Sequence, residues 1–528
     1  MEKRVIIAIV LSMFIILMFQ SMLPKPKTPR PEAASQPLPT ETVKTEEPSF
    51  TIPKEMAVQE KELRIETDKY ILIFSNIGGS LKTVYLKEFK TPGTDEPLKL
   101  THIDNPKEYI FGISSQTIPI NLDTSIYNVA QEGDAVIYSI RADNFEIIKR
   151  FNLHKSNYTI ELQLFIKNTS ASQKEFKYRI IGGSGIIELN AQDKKLIEVT
   201  AKVNEKVFGF RRPKPGERIT NPGVVSWEAM KNKYFSIILK PLVNTTSQFY
   251  TEDKNGILSM GVEPVPQSIQ VGSLIENKFL LFVGPSQISV LKKAGYNLDE
   301  TVNYGFFGGI SKLLIATMRF FYMIVHSWGI AIILLSVFLN VILFPLTAKS
   351  FKSIQKMQEI HPQMEKLKAQ LKDNPQKLNK EILELYKKYH INPFGGCLPM
   401  LLQMPIFIAL YQALMKSIEL RCAGFLWIKD LSQPDAVPIP ISLPIFGNSI
   451  NILPIIMIVA MVVQQKVSTK SMGAAVTDEQ KQQQKIMLIM MPIMFGFIFY
   501  NMPSGLVLYW VVNTILTLVE QAVVIKQA

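Results

Sequence analysis

The sequence predicts a polytopic α-helical membrane protein with six transmembrane helices and a large β-sandwich domain placed after the first of them. Three observations carry that expectation. Apolar residues concentrate at 5–23 and again in several blocks after residue 320, with a long, less apolar stretch between. Blocks of roughly 18 or more apolar residues match a hydrocarbon core ~30 Å thick. Within the intervening stretch, apolar and polar residues alternate at a period of two, as half-buried strands do.

A chain of 528 residues has room for more than one domain. Its 47% hydrophobic content suits a soluble or a membrane protein, so distribution decides where the total does not. The net charge of +13 admits anionic lipid, a ribosome or nucleic acid as partners. Much of that excess sits in one loop between two apolar blocks, which is also what the positive-inside rule requires of a cytoplasmic loop. Cys397 and Cys422 are the two cysteines. Joined by a helix they stand roughly 38 Å apart, beyond the ~7 Å between α-carbons that a disulfide spans.

Lys3 and Arg4 precede the apolar residues 5–23, and Ser21-Met22-Leu23-Pro24 is a poor cleavage site, so residues 1–23 read as an uncleaved anchor with a cytoplasmic N-terminus. Prolines at 24, 26, 29, 31, 37, 39, 48 and 53 make residues 24–56 an extended tether. Residues 57–300 read as the β-domain. Tyr158, Ile160, Leu162, Leu164 and Ile166 share one strand face, and Gly78-Gly79 marks a turn between two strands. Residues 301–326 carry Lys312 and Arg319 two turns apart on a largely apolar helix, as a helix lying in the membrane interface would.

Residues 327–528 supply five further spans, at 328–346, 400–415, 450–463, 486–501 and 506–525. The span at 450–463 is short unless the preceding apolar residues extend it. Met502-Pro503-Ser504-Gly505 forms a tight turn between the last two. The loop 347–392 repeats apolar residues at steps of three or four on either side of Asp373-Asn374-Pro375, predicting an amphipathic helical hairpin. Its lysines, among them Lys352, Lys356, Lys366, Lys387 and Lys388, place it on the cytoplasmic side.

Chemistry-bearing patterns are missing from the sequence. The five histidines are scattered without metal-ligand spacing, and no nucleophile elbow, zinc-protease helix or phosphate loop appears. An enzyme is not expected, nor a cofactor or metal. The spans instead hold Ser336, Asn340, Gln403, Gln412, Asn451, Asn513, Thr514, Thr517 and Glu520. A polar group in hydrocarbon costs several kcal/mol unless satisfied, so these residues face one another across helices or line a wet cavity.

The stretch NPFGGCLPMLLQMPIF at 392–407 resembles the signature of the YidC membrane protein insertases, relatives of the oxidase-assembly insertases of mitochondria and chloroplasts. FPLT at 344–347 before it, and ELR at 419–421, WIKDLS at 427–432 and PSGLVLYW at 503–510 after it, are supporting matches in the order the family shows. The tethered β-domain resembles the Gram-negative form, whose periplasmic domain is a β-supersandwich; Gly78-Gly79, Trp227 and Gly284-Pro285 are weaker matches.

The resemblance implies a five-helix core with a hydrophilic groove open to cytoplasm and lipid, through which nascent membrane proteins enter the bacterial inner membrane. Ser336, Asn340, Gln403, Tyr509 and Trp510 would line the groove, and Pro399, Met404 and Pro492 would border the side where substrate leaves. Implied partners are nascent membrane proteins and the Sec translocon, with the ribosome and anionic lipids at the hairpin and no specific nucleic acid. The family usually places a basic residue where this chain has Asn340, so the groove loses its Coulombic pull on acidic segments. A Sec-dependent chaperone without autonomous activity is the near alternative, and a solute transporter the distant one.

Overall fold

Alternation at a period of two becomes strand where the sequence placed it. The computed structural model describes residues 60–526 apart from 92–93, 189–195, 244–245, 255, 303–304, 372–373, 390–397, 444–446 and 472–477. The expected anchor at 1–23, the tether at 24–56 and Cys397 lie outside the described residues. The chain divides into two compact units, Met1–Val302 and Asn303–Ala528.

In the first unit, strand Thr159–Asn168 buries Ile160, Leu162, Leu164 and Ile166 completely. Strands Tyr70–Ser75 and Ser80–Lys90 pair antiparallel across Gly78 and Gly79, whose φ angles are 68° and 52°. A Cβ on Gly79 would lie 2.8 Å from Tyr138 Cβ, so the turn is restricted to glycine by both conformation and space. These strands belong to a four-stranded sheet, and the rest of the domain is built on a thirteen-stranded antiparallel sheet. Ring contacts of Phe74 with Tyr138 and Phe151 hold the smaller sheet on the larger. The long strand Arg218–Lys231 serves two halves of the larger sheet. Its residues 218–224 pair with Thr246–Lys254, and its residues 228–231 pair with Phe235–Pro241. Gly182 packs against Leu239 and Glu228, so the two halves face each other over a shared core. The result is the large sandwich expected.

A short helix α1 (Ile288–Ala294) follows the last strand. The second unit contains α2 (Gly308–Val325), α3 (Trp328–Glu359), α4 (His361–Gln370), α5 (Pro375–Lys388), α6 (Leu398–Lys416), α7 (Ile452–Ser471), α8 (Asp478–Phe499) and α9 (Ser504–Lys526). Among the described residues, three helices are long and apolar enough to cross a membrane: Gly308–Val325, Trp328–Ser353 and Ser504–Val524. Ile452–Ser468 and Leu488–Phe499 are shorter apolar helices. The first of the three is the segment expected in the interface.

Three boundaries differ from the sequence reading. The span predicted at 328–346 runs on through Pro345 to Glu359, so the first arm of the hairpin is continuous with it. That arm breaks at Ile360 instead of continuing to residue 371, because Pro362 opens α4 and lacks the N–H an unbroken helix would use. The second arm starts as expected, with Asn374 Oδ1 accepting from Lys377 N at 3.1 Å. The span predicted at 450–463 gains length at its C-terminal end, to Ser471. The residues before it form the strand pair Val437–Leu443 and Gly447–Ile450. The turn predicted at 502–505 joins α8 to α9.

Candidate functional site

The polar residues of the helical unit gather on a seam between α3 and α9. Gly505 lies against Ile332 and Asn513 against Asn340, both pairs separated by 173 residues, so the two helices run parallel in constant register. The missing side chain of Gly505 permits that approach, as small residues do between membrane helices. Asn340 Nδ2 donates to Asn513 Oδ1 at 2.8 Å and to Ser336 O at 2.8 Å. One turn toward the helix starts, the same register sets Ser336 beside Tyr509. Gln403 on α6 donates to Tyr509 Oη at 2.8 Å. Polar side chains from three helices thus meet over two adjacent turns of otherwise apolar helix.

Exposure separates these residues. Asn340 and Gln403 are half-buried, whereas Ser336 and Tyr509 are fully buried. The Ser336 hydroxyl donates to Ile332 O at 2.8 Å within its own helix, which satisfies it without water. Ser336 and Tyr509 therefore stand behind the surface that Asn340 and Gln403 present. Trp510 points elsewhere. Its ring packs 4.9 Å from Phe407, 5.5 Å from Phe495 and 5.0 Å from Phe499, an aromatic cluster of α6, α8 and α9. One residue along a helix turns the side chain by about 100°, which carries Trp510 off the face of Tyr509.

The expected exit face is redistributed in the same way. Met404 is 47% exposed. Pro492 is buried, and Ile489, Met490, Ile493 and Phe497 form the exposed stripe of α8 around it. Pro399 is the second residue of α6, in the first turn, where a missing N–H frees no carbonyl. Pro405 is the proline inside that helix. Lys352, Lys356, Lys366, Lys387 and Lys388 are all exposed, and the hairpin arms are tied by Gln363 Nε2 donating to Tyr389 Oη at 2.9 Å.

At the other end of the bundle the segment after α6 is folded back and hydrogen-bonded. Asp435 is buried and its Oδ2 accepts from Ile452 N at 2.8 Å, Leu453 N at 2.9 Å and Trp427 Nε1 at 3.1 Å. It caps α7 with a carboxylate at the positive end of the helix dipole. Asn451 Nδ2 donates to Tyr500 O at 2.7 Å, and Gly505 N and Ser504 N donate to Leu431 O and Gln433 O. Arg319 of α2 pairs with Glu419. Ile418, Leu420, Ile428 and Leu431 are buried beneath. Among the described residues no cluster of three His, Cys, Asp or Glu side chains is placed to hold a metal.

Residues 62–317 match the YidC periplasmic domain family, and residues 320–528 match the family described as the 60Kd inner membrane protein. The membrane protein insertase YidC of Geotalea daltonii is 31% identical over 560 residues, covering 100% of this chain and 99% of the relative. The chain belongs to the YidC membrane protein insertase family. The YidC insertase of Geotalea uraniireducens is 32% identical over 552 residues, with 100% and 99% covered. The crystal structure of YidC from Thermotoga maritima is similar over 88% of this chain and 97% of that one, at 16% identity and a TM-score of 0.30. Family membership makes this an inner-membrane insertase with a periplasmic β-sandwich, a protein that moves other proteins instead of catalysing covalent chemistry.

Proposed function

We propose that this insertase works through a groove whose polar wall is Asn340, Gln403 and Asn513, backed by Ser336 and Tyr509. The observation that carries the reading is the convergence of α3, α6 and α9 on two hydrogen bonds, Asn340 to Asn513 and Gln403 to Tyr509. Half-buried amides beside a sealed periplasmic end suit a groove open to cytoplasm and lipid and closed outwards. Water there lowers the cost of bringing a polar segment partway across. The apolar span of α8, residues 486–501, covers only about 24 Å at helical rise, which favours local thinning of the bilayer. Substrate helices leave between α6 and α8, past Met404 and over the aromatic floor of Trp510, Phe407, Phe495 and Phe499.

In this reading the chain crosses six times, with the anchor at 1–23 and five core helices, and both termini are cytoplasmic. Helix α2 lies in the periplasmic interface, where Arg319 and Lys312 remain hydrated. The lysine-rich hairpin meets anionic lipid or a ribosome, and the Sec translocon supplies longer substrates. The groove is tested by cysteines at Asn340 and Gln403 in a chain whose Cys397 and Cys422 have been replaced. A water-soluble maleimide added from the cytoplasmic side labels both. Complete protection of both would mean that the amides only join helices.

A further inference from the structure

Of the spans read from the sequence at 328–346, 400–415, 450–463, 486–501 and 506–525, the last holds a formal charge, Glu520, and the others hold none. Its position follows from the register of α3 and α9. The pairs Ile332 with Gly505 and Asn340 with Asn513 share one offset, and the same offset sets Glu520 beside Thr347, two turns beyond the asparagines. Glu520 is seven residues past Asn513, so it occupies the same helix face to within about 20°. Ile515, Val519 and Val523 mark the exposed apolar stripe of α9, and Glu520 stands about 100° from Val519. Sixteen residues from the start of α9, it lies about 24 Å along a helix of about 34 Å, at the cytoplasmic end of the seam.

The carboxylate is uncommitted. Thr347 gives its hydroxyl to Leu343 O at 3.1 Å in its own helix. No hydrogen bond or ion pair among the described residues engages Glu520, although Gln521 beside it is held by Ser468 on α7. The side chain is half-buried, so it is both reachable and partly out of water. A carboxylate in such a place attracts a cation more strongly than one on an open surface.

We propose that Glu520 receives the basic flank of the inserting segment and holds it at the cytoplasmic mouth of the seam. The inference rests on the groove reading above. Lysines and arginines that border a membrane helix stay on the cytoplasmic side. A carboxylate on that side, below a neutral polar seam, retains them while the uncharged part of the segment moves past Asn340 and Asn513. Specificity is thereby turned from acidic segments toward substrates with cationic flanks.

The test uses the purified full chain in liposomes and two single-span substrates that differ only in carrying lysine or glutamine at the flank positions. Wild-type protein is expected to insert the lysine-flanked substrate about five-fold faster, the scale of a partly exposed ion pair, and to lose that preference as salt is raised. Glu520→Gln abolishes the preference and leaves the glutamine-flanked substrate unchanged. Glu520→Lys transfers the preference to a substrate with glutamate in the flank, which guards against a variant that merely folds poorly. If wild type inserts both substrates and Glu520→Gln slows both equally or neither, Glu520 has no part in recognition and the groove reading stands. If wild type inserts neither, the groove reading falls and this inference with it.

Discussion

An ammonium group with no water around it needs acceptors, and Lys149 finds three. It is fully buried in strand Phe145–Leu153, donating to Gly78 O at 2.7 Å, Phe111 O at 2.7 Å and, more weakly, Gly79 O at 3.3 Å. Burial pulls its pKa from 10.5 to about 7, with Asp123 opposing the shift. Between those values the unfolded chain holds a proton that the folded chain has released, so this residue makes stability rise with pH from about 7 toward 10.5. Lys149→Met should lose that rise and cost about 1–3 kcal/mol through unsatisfied carbonyls, read as urea unfolding at several pH values. An unaltered pH slope would show that Lys149 stays charged throughout. The sequence held the signal: Phe145, Ile147, Lys149 and Phe151 alternate at a period of two, which points Lys149 inward. The same scale holds Asn340. A double-mutant cycle of Asn340→Leu and Asn513→Leu should give a coupling of about 0.6 kcal/mol, up to about 1.7. A coupling of zero would mean the amides do not bond in the membrane. Their pairing was not legible, because a polar residue in a span announces a need for a partner without naming it.

At the level of elements, the strands and the two-helix hairpin were legible because each rests on local periodicity. What was hidden depends on contacts distant in sequence. Asp435 caps α7 from 17 residues away, and nothing local marks it as a cap. The strand Val437–Leu443 before α7 is mostly apolar residues and prolines, which read equally well as the start of a span. The ring contacts of Trp510 are hidden for a related reason: its partners Phe407, Phe495 and Phe499 come from two other helices, and aromatic side chains in a span carry no mark of which face they share. Close helix contacts leave a clearer trace in glycine. A Cβ at Gly496 on α8 would fall 2.3 Å from Ile458 Cδ1 on α7. Gly496→Leu should force these helices apart at a cost of about 1–3 kcal/mol, visible as a lower thermal midpoint in detergent. Gly496→Ala should be much milder, because the tip of Ile458 rotates away. Equal, small effects would place the two helices farther apart.

At the scale of the molecule, the two compact units have separate cores. The division falls near residue 302, where strand alternation gives way to apolar helix in the sequence. A chain lacking residues 62–300 should keep its insertion activity to within about twofold if the helical unit folds on its own core. A loss beyond about tenfold would assign the β-domain a direct part in insertion.

If the groove suffices, the chain inserts a substrate with no other protein present. The purified chain, alone in liposomes and with a photo-crosslinker at Asn340, is offered a small single-span substrate. Protease protection of that substrate, with crosslinks from Asn340 to it, is the expected result. It would show that a groove walled by amides inserts protein without a basic residue at that position. A well-folded protein that gives neither protection nor crosslinks would contradict the account and leave a chaperone that depends on the Sec translocon.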